Sequence, residues 1–197
     1  MRLELRRRDF AGLIFFATLL TAGLGLKLFY SGAPADQPRW LLAPTAVAVE
    51  LVGGPAFDFA AGEGYVSHEF NGRLVLYRGC SGLNFLAISL WLAGFAPLYA
   101  RFTRRVANHD SNHRGPGAAP VVRMPLAVYF MIAPVLAVFA TVFANVSRIQ
   151  ALLAIAPVVP DVLHPGAGHL AVGAFVYLIF LVLYFLTLRL MIETVEA

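Results

Sequence analysis

The sequence predicts an all-α polytopic membrane protein: a bundle of about four transmembrane helices, with a short re-entrant or interfacial helix and an outer β-hairpin. Three observations carry that expectation. Hydrophobic residues make up 59% of the chain and charged residues only 13%, about half the usual share of a soluble domain. Four apolar runs are long enough to supply the about 20 helical residues that cross a bilayer core. The arginines gather at the ends of those runs, so the net charge of +4 reads as a topology signal and gives no support for nucleic acid as a partner. The 197 residues suit one integral membrane domain spanning residues 1–197.

The first span is expected over residues 10–30, behind Arg2, Arg6, Arg7 and Arg8. A signal peptide begins in the same way, but this run is long and no small-x-small cleavage site follows it, which favours a retained anchor. An outer segment, 31–80, comes next. Within it, residues 40–52 are apolar but short for a span, with Pro44 inside and Glu50 near the end. They read as a re-entrant or interfacial helix, because a full crossing would break the parity of four spans. Residues 65–77 place Asn71-Gly72 between two strand-like runs, the strongest short hairpin signal. That hairpin delivers the chain to Cys80. The second span covers 81–102, and 103–124 is a polar, breaker-rich cytoplasmic loop. The third span covers 125–148, although apolar character continues to Val159, too far for one simple span. The fourth covers 169–190.

Basic residues orient these spans. Ten of the 15 lysines and arginines fall on the side holding the N-terminus, the 103–124 segment and Arg189. Lys27, Arg39, Arg73, Arg78 and Arg148 fall on the other. The richer side is expected to be cytoplasmic, with both termini there.

Cys80 is the single cysteine, so any role it has is that of a thiol and not of an internal disulfide. It stands where the second span begins, two residues after Arg78, a setting that favours the nucleophilic thiolate. A lone membrane cysteine is more commonly an inert small hydrophobe. A helix running from Pro125 to Arg148 covers about 34 Å at about 1.5 Å per residue, which brings Arg148 near the outer interface. There it either faces the bundle interior or snorkels to headgroups. Asn145, three residues earlier on the same helical face, is placed to orient the guanidinium or to bond between helices. His169 opens the fourth span at the same depth, though alone it reads as an ordinary helix-end histidine. His164 reads as a loop residue and His68 as part of the hairpin; no ligand spacing among these histidines supports a metal.

Gly79-Cys80-Ser81-Gly82, Asn145-Val146-Ser147-Arg148 and His169-Leu170-Ala171-Val172-Gly173 occur in that order at ends of apolar helices. The set resembles the exosortase/archaeosortase family of membrane cysteine transpeptidases, over roughly residues 40–190. That family carries a Cys-Ser-Gly-like motif, Asn-x-x-Arg, and His followed four residues later by Gly. Tyr30-Ser31, Trp40-Leu41-Leu42-Ala43-Pro44-Thr45, Gly64-Tyr65 and Cys80-Ser81-Gly82-Leu83-Asn84-Phe85 look like its compact exosortase K branch.

The resemblance implies a catalytic triad of Cys80, Arg148 and His169 on the outer face of a prokaryotic plasma membrane. It implies substrates that are exported proteins ending in a short motif, a transmembrane helix and a basic cluster, and membrane lipids as surroundings. On that expectation Cys80 forms a thioester, His169 moves the proton, and Arg148 holds the oxyanion or the thiolate itself. Asn145 then holds Arg148, while Ser81 and Gly82 let backbone N–H groups approach; Arg78 is a further charge near the thiol, and Gly173 completes the histidine motif. No metal or organic cofactor is required. Two other classes stay open: a small membrane scaffold or assembly factor, in which these polar residues only join helices, and a transporter subunit with Arg148 in a polar pathway. The absence of an evident inverted repeat counts against the transporter. An impermeant maleimide that reaches Cys80 from outside favours the enzyme.

Overall fold

Long apolar helices joined by short connections have one economical solution, which is to pack side by side in alternating directions. The computed structural model describes residues 7–70, 72–110, 125–159 and 166–196. Its elements are α1 (Arg7–Ser31), α2 (Arg39–Leu51), β1 (Asp58–Ala60), β2 (Gly64–Phe70), β3 (Gly72–Leu76), a 3₁₀ turn (Arg78–Cys80), α3 (Leu83–Asp110), α4 (Leu126–Ile155) and α5 (Ala167–Glu196). Four stretches are long and apolar enough to cross a membrane: Phe10–Ser31, Arg78–Ala100, Leu126–Ile155 and Ala167–Glu193.

Three hydrogen bonds give the directions of packing. Trp91 Nε1 donates to the Leu20 carbonyl at 3.2 Å, joining α3 to α1. The Tyr129 hydroxyl donates to the Ala93 carbonyl at 2.8 Å, joining α4 to α3. The Tyr184 hydroxyl donates to the Ala133 carbonyl at 2.8 Å, joining α5 to α4. A buried tyrosine needs an acceptor for its hydroxyl, and a helix carbonyl has a second lone pair to offer. The packing stripe of α4 recurs every three or four residues: Tyr129, Ala133, Ala137, Thr141, Asn145, Arg148 and Leu152 are all buried. Its alanines let the helix axes approach closely, as in membrane bundles. The same stripe carries Asn145 and Arg148 inward, so the spacing that packs the helix also delivers two polar side chains to the interior.

The other faces of the long helices are exposed and apolar, with Leu28 and Phe29 on α1, Met131 and Phe143 on α4, and Phe175 and Leu178 on α5. Contiguous apolar surface on this scale is what lipid covers.

At one end of the bundle lies a cap. The expected hairpin is present, with Val66 opposite Val75 and Ser67 opposite Leu74. A short third strand, β1, pairs antiparallel to β2, with Phe59 opposite Tyr65. Helix α2 turns Ala46 and Val49 against Val146 and Ile149 of α4, while Val47 and Leu51 are exposed. Asp36 is buried and accepts from Arg39 Nη2 at 2.8 Å. The Arg39 guanidinium stands 4.3 Å over the Phe59 ring, joining the α1–α2 connection to β1.

Several sequence expectations are corrected. Residues 103–110, expected as loop, continue α3, because Arg104, Arg105, Val106 and Ala107 contain no helix breaker. The rest of that segment, 111–124, and His164 lie outside the described residues. The helix of the expected third span does not stop at Arg148; α4 runs on to Ile155, since nothing before Pro157 stops it. The fourth extends from 169–190 to Ala167–Glu196. The third strand was not expected, because Asp58-Phe59-Ala60 is too short to show alternation.

Candidate functional site

At the capped end, α3, α4 and α5 bring their polar residues together. Asn145 is 1% exposed and Arg148 8%, so each polar atom there needs a partner from the protein. Asn145 Nδ2 donates to the Ser81 carbonyl at 2.8 Å. Asn145 Oδ1 accepts the Tyr177 hydroxyl proton at 2.7 Å. Arg148 Nη1 donates to the Tyr177 oxygen at 3.3 Å, and Arg148 Nη2 meets His169 Nε2 at 2.5 Å. Every donor in the chain points one way, from Arg148 through Tyr177 and Asn145 to the backbone beside Cys80.

The arginine also fixes the histidine. A guanidinium has donors and no acceptor, so in this contact Arg148 is the donor and His169 Nε2 the acceptor. Arg148 Cζ lies 5.7 Å from the centre of the Tyr177 ring, and Tyr177 in turn packs on Phe85 at 5.3 Å. Arg148 Nε is buried and has no hydrogen-bond partner among the described residues. Cys80 is a half-buried free thiol, next in the chain to Ser81, whose carbonyl holds Asn145.

Two glycines make the site possible. Gly82 has φ of +70°, and a Cβ there would stand 2.7 Å from Asn145 Oδ1 and 2.8 Å from Nδ2. The left-handed backbone and the close approach of the amide both require its missing side chain. Gly82 also accepts the Leu86 N–H at 2.8 Å, which makes it the residue that opens α3. At Gly173 a Cβ would stand 2.9 Å from Arg148 Nε. Only a bare Cα on α5 lets the arginine side chain approach that helix so closely.

Cys80, Ser81, Gly82, Asn145, Arg148, His169 and Gly173 are thus placed at one end of the same three helices. Some expected roles change. Cys80 is not in the first turn of α3; it ends the 3₁₀ turn, three residues before Leu83. Arg78 does not turn to the thiol: its Nη1 donates to the Ala33 carbonyl, and its N–H bonds the Ala35 carbonyl at 2.7 Å. Arg78 anchors the α1–α2 connection. Asn145 reaches Arg148 only through Tyr177, and no direct bond joins the two. The backbone N–H groups of Cys80 and Ser81 are spent within the turn, on Tyr77 and Arg78 carbonyls at 2.7 and 3.1 Å. The donors left without an intrahelical acceptor are those that open α3, at Leu83, Asn84 and Phe85.

Tyr177 was missed from sequence, although it lies four and eight residues beyond Gly173 and His169, on one helical face. Phe85 was quoted within a motif but given no role. His68 is exposed on β2, and no group of three His, Cys, Asp or Glu side chains among the described residues is placed to hold a metal ion.

Such an arrangement offers a thiol, an imidazole and a hydrogen-bonded guanidinium at one end of a bundle, residue types that suit nucleophilic attack on a carbonyl and stabilisation of the resulting oxyanion. In comparison with known proteins, the chain matches no protein family, no curated protein and no solved structure.

Proposed function

We propose that the chain is a membrane-embedded cysteine peptidase or transpeptidase, resembling the exosortase/archaeosortase family, that cleaves C-terminal sorting signals of exported proteins. The observation that carries this reading is the contact of buried Arg148 on α4 with His169 on α5, in a hydrogen-bonded cluster. It is supported by the bond from Asn145 that ties this cluster to the Ser81 carbonyl, one residue from Cys80.

In this reading Cys80 Sγ attacks the scissile carbonyl carbon, and the thiol proton passes to His169. Arg148 leaves His169 Nε2 for the carbonyl oxygen as that oxygen becomes negative, which frees the imidazole to accept the proton. Collapse of the tetrahedral intermediate breaks the C–N bond, and His169 returns the proton to the departing amine. The acyl group stays on Cys80 as a thioester until an acceptor amine, hydroxyl or water attacks its carbonyl carbon and releases the thiol. N–H groups at the start of α3 are the backbone donors that support the oxyanion beside Arg148.

The partners are exported proteins ending in a motif, a membrane helix and a basic cluster. The bilayer brings the scissile segment to the depth of Cys80, so lateral diffusion replaces part of the encounter. The location is a prokaryotic plasma membrane, with both termini cytoplasmic and the site on the outer face. No metal or organic cofactor takes part in this chemistry.

The test is processing of such a tailed protein by the full chain and by Cys80→Ala. The variant is expected to insert normally and leave the tail uncut; uncut tail in neither case, with wild-type processing retained by the variant, contradicts the proposal. A scaffold role has one observation in its favour, since the same hydrogen bonds knit three helices. That alternative expects Cys80→Ala to be silent.

A further inference from the structure

The hydroxyls of Tyr129, Tyr177 and Tyr184 each bond across a pair of the helices α3, α4 and α5, and one differs from the other two. Those of Tyr129 and Tyr184 end on backbone carbonyls, of Ala93 and Ala133. The Tyr177 hydroxyl ends on side chains instead, accepting from Arg148 and donating to Asn145. Asn145 is itself held by the Ser81 carbonyl, one residue from the thiol. We propose that Tyr177 is a positioning residue, which holds the Arg148 guanidinium at a fixed place relative to Cys80.

The role rests on the reading of Cys80 as nucleophile. Its logic lies in the two ends of the guanidinium. Nη2 faces His169, the partner it must give up when a substrate carbonyl arrives. Nη1 faces Tyr177, so the arginine keeps one anchor during that exchange. Gly173, bare of a side chain, lets the arginine pass close to α5, where an added Cβ would stand 2.9 Å from Nε. The bond between Tyr177 and Asn145 then refers this anchor to the turn that carries the thiol. Replacing Tyr177 with phenylalanine keeps the ring packed on Phe85 and removes only the hydroxyl.

The experiment needs no substrate. The rate of alkylation by iodoacetamide is measured on the full chain in detergent, where Cys80 is the single cysteine and the label is unambiguous. A cation held near a sulfur favours the reactive thiolate, so Tyr177→Phe is expected to slow alkylation by about threefold or more. Arg148→Lys is expected to slow it as well, and the double variant to be no slower than Arg148→Lys alone. Tyr184→Phe also loses a buried hydroxyl bond and is expected to keep the wild-type rate. A wild-type rate in Tyr177→Phe, or two effects that multiply in the double variant, overturns the proposal. If Tyr177→Phe does not yield folded protein, Tyr177→Gln enters the same cycle under the same criteria. Processing that survives in Cys80→Ala removes the nucleophile reading by a separate route, so the two failures are told apart.

Discussion

Arg148 on α4 donates to His169 Nε2 on α5 at 2.5 Å, and the direction of that bond sets the state of the site. With Nε2 turned to the guanidinium, the imidazole offers no lone pair there until something draws the arginine away. A developing oxyanion is the group best suited to do so, because it offers the guanidinium full negative charge. The resting contact and the proposed transition state compete for the same N–H group.

Gly173 is the position most sensitive to this geometry. Gly173→Ala is expected to insert and fold with a cost of about 1–3 kcal/mol. Its new Cβ meets Arg148 at 2.9 Å from Nε, which is the middle of that side chain and not its free end. Processing is expected to fall by about a hundredfold, as when a reacting group is misplaced by about 1 Å. The check is the processing rate per folded molecule; wild-type turnover detaches Arg148 from the chemistry.

How much of this was legible in the sequence depends on the length scale of the signal. Apolar runs longer than a bilayer core gave away all four long helices, because nothing else in a protein needs so many consecutive apolar residues. Arg148 stood out for the same reason, as a charge inside such a run. The ends of helices were misjudged where polarity and helix propensity part company. Arg104 and Arg105 are polar yet helical, and α3 continues through them. The 3₁₀ turn at Arg78–Cys80 has no periodic signature, so the second helix was expected from Ser81, two residues before Leu83. Tyr177 was hidden because a tyrosine among leucines and phenylalanines reads as bulk. Only its spacing from His169 and Gly173 marked it, and that spacing gains meaning once Asn145 and Arg148 are known to face it. Arg78 misled in the opposite sense: adjacency in sequence suggested the thiol, whereas its guanidinium reaches a carbonyl 45 residues earlier.

The cap has its own dependence on pH. The Arg39 guanidinium beside Asp36 holds that carboxyl below the usual carboxylate range. A depressed value means that the folded state favours the ionised form, so this stabilisation is present above the ordinary carboxylate pKa. It is lost as pH falls through the depressed value. Acidification from about pH 6 to about pH 3 is therefore expected to lower the unfolding temperature in detergent, and to lower it less in Asp36→Asn. Equal losses in the two proteins contradict this account of the α1–α2 connection.

The central claim is that Cys80 carries the acyl group. Intact-mass measurement of the full chain, mixed with a tailed substrate and stopped during turnover, tests it most directly. The account predicts a mass increase equal to the substrate part upstream of the cut, located on Cys80, released by hydroxylamine and absent from Cys80→Ser. Cleavage that proceeds at full rate with the Cys80 thiol already blocked by iodoacetamide contradicts it.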